Sequence, residues 1–177
     1  MKKYALIGGP CSGKSSVIKE AKERGITVLG EVAREVITSW GGFPTDSGKI
    51  AEIQREIFFL QIKREEELEK KGEDFMLLDR GVLDVLAYSN YYLGRVSLDY
   101  SDYNLGSRYN GVFLLDRVQF QQDGLRIEGG DEVARVIHEK IIETYRGFGY
   151  NLINIPVVED FTRAPKERLD KILNEIE

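Results

Sequence analysis

Eight residues near the start of the chain, Gly8-Gly9-Pro10-Cys11-Ser12-Gly13-Lys14-Ser15, match G-x-x-x-x-G-K-[ST], the spacing of a loop that wraps a phosphate chain. Each position has a physical task. The glycines let the backbone curl with its N–H groups facing inward, and a helix starting near Gly13 adds its positive dipole end to that nest. Lys14 is placed to reach the β and γ phosphates, and the Ser15 hydroxyl to ligate Mg2+. The nucleotide-holding stretch is read as Gly8 to Ser16. An apolar run before it (Tyr4 to Ile7) and helix-forming residues after it (Val17-Ile18, then Lys19-Glu20-Ala21-Lys22) supply the strand–loop–helix context such a loop needs. A tight turn without ligand is the bland alternative, and a lysine set in a glycine nest speaks against it. Cys11 needs only to be small, so a structural filler is favoured over a redox sensor. The dinucleotide pattern G-x-G-x-x-G cannot be fitted.

Three further constellations bear on chemistry. Leu77-Leu78-Asp79-Arg80-Gly81 puts a carboxylate and a guanidinium at the end of an apolar run. There Asp79 would hold Mg2+ through water and Arg80 would clamp a phosphate, unless Asp79 merely caps the next helix. Glu31 follows another apolar run, with Arg34 one helical turn on. Glu31 is placed to take a proton from an acceptor hydroxyl and Arg34 to grip an anionic acceptor, the alternative being a helix-start carboxylate with an i, i+3 partner. The segment Asp116 to Arg126 suits an Arg-bearing lid over the triphosphate, or else a solvated hairpin. Arg126 is preferred to Arg117, because Asp116 and Arg117 would pair locally. Trp40, Phe43, Tyr88, Tyr91, Tyr92, Tyr100, Tyr103 and Tyr109 could stack on a planar base, although aromatics at such spacing more often serve a core or interface. His138 lies beside an apolar stripe and reads as packed or surface, not catalytic.

The elements that must position these groups are legible as short apolar runs alternating with amphipathic stretches. Tyr4–Ile7, Ile26–Leu29, Phe75–Leu78, Val112–Leu115 and Leu152–Ile155 read as five buried parallel strands. Ile50, Ile53, Ile57, Leu60 and Leu68 keep helical spacing, as do Val133, Val136, Ile137, Ile141 and Tyr145. The class is α/β, a mostly parallel sheet covered on both faces. Residues 41–49 and 117–130 break the alternation and read as functional loops, the latter as a short lid; residues 1–177 form one domain. The net charge of −5, with basic residues scattered among acidic ones, argues against stable nucleic-acid binding. One Cys and one His leave no internal disulfide and no usual zinc site. No apolar run approaches the roughly 20 residues of a membrane span, and the stretch after Met1-Lys2-Lys3 is too short for a signal peptide, so a soluble, cytoplasmic protein is expected. A GTPase would read guanine with Asn-Lys-x-Asp, which is missing, and an oligomeric AAA+ motor would need a lid domain and sensor arginines for which 177 residues leave little room.

In these motifs the chain resembles the small P-loop kinases, in particular the predicted ATPases similar to the nicotinamide riboside kinase domain and, more distantly, thymidylate and deoxynucleoside kinases. The resemblance is carried by Gly8 to Ser16, Glu31-x-x-Arg34, Asp79-Arg80, the Gln-x-Asp-Gly-x-Arg stretch ending at Arg126, and Thr162-Arg163-Ala164-Pro165-Lys166-Glu167-Arg168. It implies a three-layer P-loop NTPase fold with sheet order 2-3-1-4-5 and a loop after the fifth strand that packs on adenine, which would bring Arg163 and Pro165 near the base. Deoxynucleoside kinases carry Glu-Arg-Ser where this chain has Asp79-Arg80-Gly81. The expected activity is transfer of the ATP γ-phosphoryl group, with Mg2+, to a hydroxyl or phosphate of a small nucleoside-like acceptor, GTP staying open as donor. Lys14, Glu31, Asp79, Arg80 and Arg126 would be catalytic, Glu31, Arg34 and Arg80 would face the acceptor, and Ser15 and Asp79 the metal. The alternative is a nucleotide-binding regulator or slow NTPase without a small-molecule acceptor. A homodimer stays open.

Overall fold

The computed structural model describes residues 1–117 and 130–176. Five strands form one parallel sheet: β1 (Lys2–Ile7), β2 (Val28–Leu29), β3 (Phe75–Asp79), β4 (Gly111–Leu115) and β5 (Leu152–Ile155). Their order is β2-β3-β1-β4-β5. Helices α1 (Lys14–Glu23), α2 (Val32–Ser39), α3 (Ser47–Glu69), α4 (Val82–Leu93), α5 (Asp131–Gly147) and α6 (Ala164–Ile176) cover both faces, giving the P-loop kinase fold that the motifs imply.

The strands read as unbroken apolar runs because each buries side chains alternately above and below the sheet. Ala5, Ile7, Met76, Leu78, Val112 and Leu114 point into the core shared with α2, α3, α4 and α5. Tyr4, Leu6, Leu77, Phe113, Leu115 and Ile155 point into the second core, under α1 and α6. Ile26 packs on that second core but lies outside the ladder, so β2 is a two-residue edge strand, shorter than the run that foretold it.

One loop is shorter than expected. Residues 47–49 are not part of the Gly/Pro-rich connection but open α3. Asp46 explains this: its carboxylate accepts from the Lys49 N–H at 3.0 Å, and its carbonyl accepts from the Ile50 N–H at 2.8 Å. An N-cap of this kind overrides the helix-weakening Gly48. Because the strands are parallel, Gly8, Glu31, Arg80, Asp116 and Pro156 all fall just beyond their carboxyl ends, on one edge of the sheet.

Candidate active site

The phosphate loop leaves β1 and enters α1 through backbone conformations that its residue types permit. Gly13, the N-cap of α1, has φ +78°, a left-handed geometry that glycine adopts without cost. Lys14 is 5% exposed, and its ammonium donates to Gly8 O (2.8 Å), Gly9 O (3.1 Å) and Ser12 Oγ (2.9 Å). Burial, aided by the Arg80 charge, lowers its pKa to about 8, against the pull of Asp79, Asp84 and Glu31.

Two side chains outside the motif lock the loop in place. Arg168, on α6, is buried and donates to Ser12 O (2.6 Å), Pro156 O (3.0 Å), Asp116 O (2.8 Å) and Ile155 O (3.1 Å). It thereby ties the loop to the ends of β4 and β5. Burial lowers its pKa while the Asp116 charge opposes that shift. His138, on α5, accepts the Gly9 N–H on Nδ1 at 2.9 Å, so it is a packed residue that grips the loop. Burial, then the Arg117 and Lys14 charges, lower its pKa.

Asp79 ends β3 opposite Leu6, the residue before the last of β1. That register brings its carboxylate under α1, where Oδ2 accepts from Ser15 Oγ at 2.7 Å. Oδ1 is buried with no hydrogen-bond partner among the described residues. Burial pushes the Asp79 carboxyl up, while Lys14 and Arg80 pull it down. A buried, unpartnered carboxylate oxygen beside a serine hydroxyl is an oxygen donor set that fits Mg2+. Among the described residues there is no group of three or more His, Cys, Asp or Glu that could cage a metal by themselves, so phosphate oxygens and water would complete the shell.

Arg80 follows in a left-handed conformation, φ +74°, rare for a side-chain-bearing residue. Its Nε donates to Glu31 at 2.8 Å, its Nη1 to Asp84 at 3.3 Å, and its guanidinium lies 5.3 Å from the Tyr88 ring centre. Asp84 also accepts from Gly81 N (3.1 Å) and from the buried Tyr145 hydroxyl (2.8 Å). Gly81 must be glycine, since a Cβ there would sit 2.5 Å from Tyr145 Oη and 2.7 Å from Tyr109 Oη. Tyr109 Oη accepts from Val82 N (2.6 Å) and donates to Glu65 (3.0 Å), which is wholly buried and also receives Arg108 at 2.7 Å. A polar network thus backs Arg80 from behind.

In front of Arg80 a cleft of about 620 Å3, including its open mouth, lies between α2, α3 and α4. Phe43, Tyr88 and Tyr92 supply aromatic walls, with Phe43 and Tyr92 in contact at 4.7 Å between ring centres. Gln54 and Gln61 supply amides. Gln54 is 3% exposed and lines the cleft, where its amide carries both donors and an acceptor. Glu31 sits at the inner wall. Burial raises its pKa, but Arg80, Lys14 and Arg34 outweigh that and hold it below the ordinary carboxylate value.

The structure brings Lys14, Ser15, Glu31, Asp79 and Arg80 into one locale and leaves other candidates outside it. Arg34 has a 79% exposed side chain that pairs with Glu31 at 3.4 Å and is not among the described residues lining the cleft. The helix-start pair is therefore what is seen. Arg117 pairs with the Asp131 carboxylate, not with Asp116, whose carboxylate receives Asn154 at 3.2 Å. Tyr109 is core, so it cannot stack on a base. Trp40 donates to Glu56 at 2.9 Å, and Tyr103 packs on Phe58. Arg163 is exposed and pairs with Glu167 at 2.9 Å, one helical turn on, with Pro165 between them on α6. Arg126 and nearly all of the lid expected at 117–130 lie outside the described residues. Gln54, Gln61, Glu65, Asp84 and Arg168 were missed as site residues. Their signal was a polar residue inside an apolar helical stripe, as at Ile50, Gln54, Ile57, Gln61 and Glu65.

The sheet order, the phosphate loop and the Ser15–Asp79 pair define a P-loop protein of the kinase fold. The chain belongs to the family described as AAA domain, whose model matches residues 3–163 and so spans β1 to β5. No curated protein sequence matches it. Among solved structures it is similar to deoxyadenosine kinase from M. mycoides with bound dCTP (18% identity, TM-score 0.66, 98% of each chain covered). It is also similar to NadR protein in complex with NR (14% identity, TM-score 0.67, 98% of this chain and 51% of that one). A third is thymidylate kinase from Ehrlichia chaffeensis (14% identity, TM-score 0.59, 99% and 98% covered). At these identities the likeness is one of fold. Among the described residues no helix is long and apolar enough to cross a membrane.

Proposed function

We propose that the protein transfers the γ-phosphoryl group of ATP, with Mg2+, to a hydroxyl or phosphate of a small nucleoside-like acceptor. The observation that carries this reading is the Glu31–Arg80 pair, 2.8 Å apart, at the inner wall of an aromatic-lined cleft that begins one residue beyond the Ser15-bonded Asp79. A regulator that only binds nucleotide has no need of an aromatic-lined cleft beside Asp79 and Arg80. The fold of nucleoside and thymidylate kinases among its structural neighbours supports it.

In this reading the loop amides and Lys14 hold the triphosphate, and Ser15 and Asp79 would hold Mg2+. Held by Ser15 and Asp79, the metal would supply positive charge to offset the negative charge that develops during phosphoryl transfer. Phe43 and Tyr92, in contact with each other, form one aromatic wall for a planar ring, with Gln54 among the residues that line the same cleft. Arg80, already fixed by Asp84 and Glu31, adds positive charge where the phosphoryl group passes. Positioning and electrostatics then carry most of the rate, as they do for phosphoryl transfer generally. Arg163 and Pro165 near the adenine, Arg126 on a closing lid, a single domain and a cytoplasmic location belong to the same proposal.

The test is ADP release measured with and without a panel of nucleosides, nucleotides and pyridine ribosides. Acceptor-stimulated release is expected, and the Lys14→Ala variant should lose most nucleotide affinity by calorimetry. Hydrolysis indifferent to every acceptor would overturn the kinase reading, and undiminished ATP binding by Lys14→Ala the phosphate-loop assignment.

A further inference from the structure

We propose that Glu65, a carboxylate wholly buried on α3, is a positioning residue for the phosphoryl transfer: it holds the backbone of Arg80-Gly81-Val82 in the turn that aims the Arg80 guanidinium. For the reaction it rests on the phosphotransfer reading, and for the turn on the contacts of Glu65 itself.

Packing alone does not account for a carboxylate here. Glu65 follows Ile57, Phe58 and Ile62 on the buried face of α3, where an apolar side chain would sit at lower cost. It also brings in Arg108, which donates to Oε2 at 2.7 Å and whose Nη2 is buried with no hydrogen-bond partner among the described residues. Lys3 lies 3.7 Å from the same oxygen and 3.0 Å from Glu69. Two carboxylates thus meet two cations, an arrangement that seldom adds net stability when buried.

The other oxygen, Oε1, serves the turn. It accepts from Gln61 Nε2 and from Tyr109 Oη, each at 3.0 Å. Both partners pass on to the peptide units flanking Gly81. The Gln61 amide also donates to Arg80 O at 3.4 Å, and Tyr109 Oη accepts from Val82 N at 2.6 Å. A carboxylate only accepts and a peptide N–H only donates, so Glu65 fixes which way the Gln61 amide faces and where the Tyr109 proton points. The Gln61 contact is long and the Tyr109 contact short, so Tyr109 carries most of the restraint.

Two features make that restraint matter. Arg80 is left-handed, φ +74°, a conformation that a side chain disfavours. Gly81 starts α4 without a side chain to cap it, and the Tyr109 and Tyr145 hydroxyls exclude a Cβ, so Tyr109 takes the part of an N-cap toward Val82. Loosening the turn lets Arg80 relax toward an ordinary conformation, which carries its guanidinium away from Glu31 and Asp84.

Glu65→Gln keeps the shape and breaks the pattern: whichever way the new amide lies, its NH2 meets a donor, either Arg108 or the Gln61 and Tyr109 pair. The measurements are turnover with Mg-ATP and the panel acceptor that most stimulates ADP release, ATP affinity by calorimetry, and solvent exchange of the Arg80 Nε–H and Gly81 N–H by nuclear magnetic resonance. In Glu65→Gln, kcat should fall between about tenfold and a hundredfold, with ATP affinity within about twofold of wild type. Exchange at both protons should quicken at least about tenfold, while the Phe113 amide of β4 keeps its protection. In an Arg80→Lys background the same change should lower kcat by less than about threefold, because the group it positions is gone. Tyr109→Phe should repeat these effects and stands in if Glu65→Gln does not fold; failure of both to fold would show a structural role and overturn the proposal. Undiminished kcat, a full tenfold loss in the Arg80→Lys background, or kcat and ATP affinity lost in step would each overturn it too. Quickened exchange in a protein that no acceptor stimulates would overturn the phosphotransfer reading alone and leave Glu65 as the residue that holds Arg80. Unchanged exchange would overturn the Glu65 assignment whatever the activity.

Discussion

Binding of Mg–ATP should draw protons from solution as the pH rises above neutral, because Lys14 sits in the loop as a partly deprotonated amine. With its pKa lowered to about 8 by burial and the Arg80 charge, the neutral fraction is about 0.1 at pH 7, about 0.5 at pH 8 and about 0.9 at pH 9. A triphosphate brought against the ammonium places several negative charges within roughly 3–4 Å. Each is worth several pKa units even at an effective dielectric of about 20, which is enough to restore full protonation. Uptake should therefore follow those fractions, near half a proton per nucleotide at pH 8. The nucleotide adds little of its own there, since the terminal phosphate ionises near pH 6. Calorimetric titration in buffers of differing ionisation enthalpy measures the proton number directly. The same shift sets a stability trend. Between about pH 8 and 10.5 the unfolded chain binds more protons at this lysine than the folded one, so its contribution to unliganded stability rises across that window, and below pH 8 the buried ammonium is a full cost. Absence of uptake at pH 8 to 9, or the same uptake in Lys14→Met, would refute the argument.

Two further outcomes follow from the groups behind the site. Tyr145→Phe removes a buried hydroxyl from Asp84, and should cost about 1–3 kcal/mol in chemical denaturation. It should also lower acceptor-stimulated turnover while sparing ATP affinity, and equal loss of both would show that Asp84 does not act through Arg80. Arg168→Met takes the guanidinium donor from Ser12 O, Pro156 O and Asp116 O, while Ile155 O keeps the Asp116 N–H, and should cost at least about 1–3 kcal/mol while weakening ATP binding, with Arg168→Lys giving little rescue because an ammonium cannot span the fork.

Much of this was open to a reader of the chain alone. The strands and the phosphate loop announce themselves because a parallel sheet buried on both faces demands contiguous apolar residues, and a phosphate nest demands glycine and lysine at fixed offsets. Asp79, Arg80 and Glu31 were legible because ligands sit at strand carboxyl ends. For Arg34 both readings stood open, because spacing cannot say whether a side chain one turn on points inward or to water. Tyr109 follows the core reading favoured for these aromatics, although composition alone does not separate a hydroxyl that satisfies a buried helix start from a ring that stacks on a base. The backing network escaped notice because its members, Glu65, Asp84, Tyr109 and Tyr145, come from four separated segments and meet only through the fold.

The bond from Gly9 to His138 has a practical corollary. Because Nδ1 accepts, the ring proton resides on Nε2, and acceptance fails once the ring takes up a second proton. The chain contains a single histidine, so every imidazole signal in a nuclear magnetic resonance spectrum comes from a side chain that is hydrogen-bonded to the phosphate loop. The protein thus carries its own spectroscopic gauge of nucleotide occupancy, without any added label.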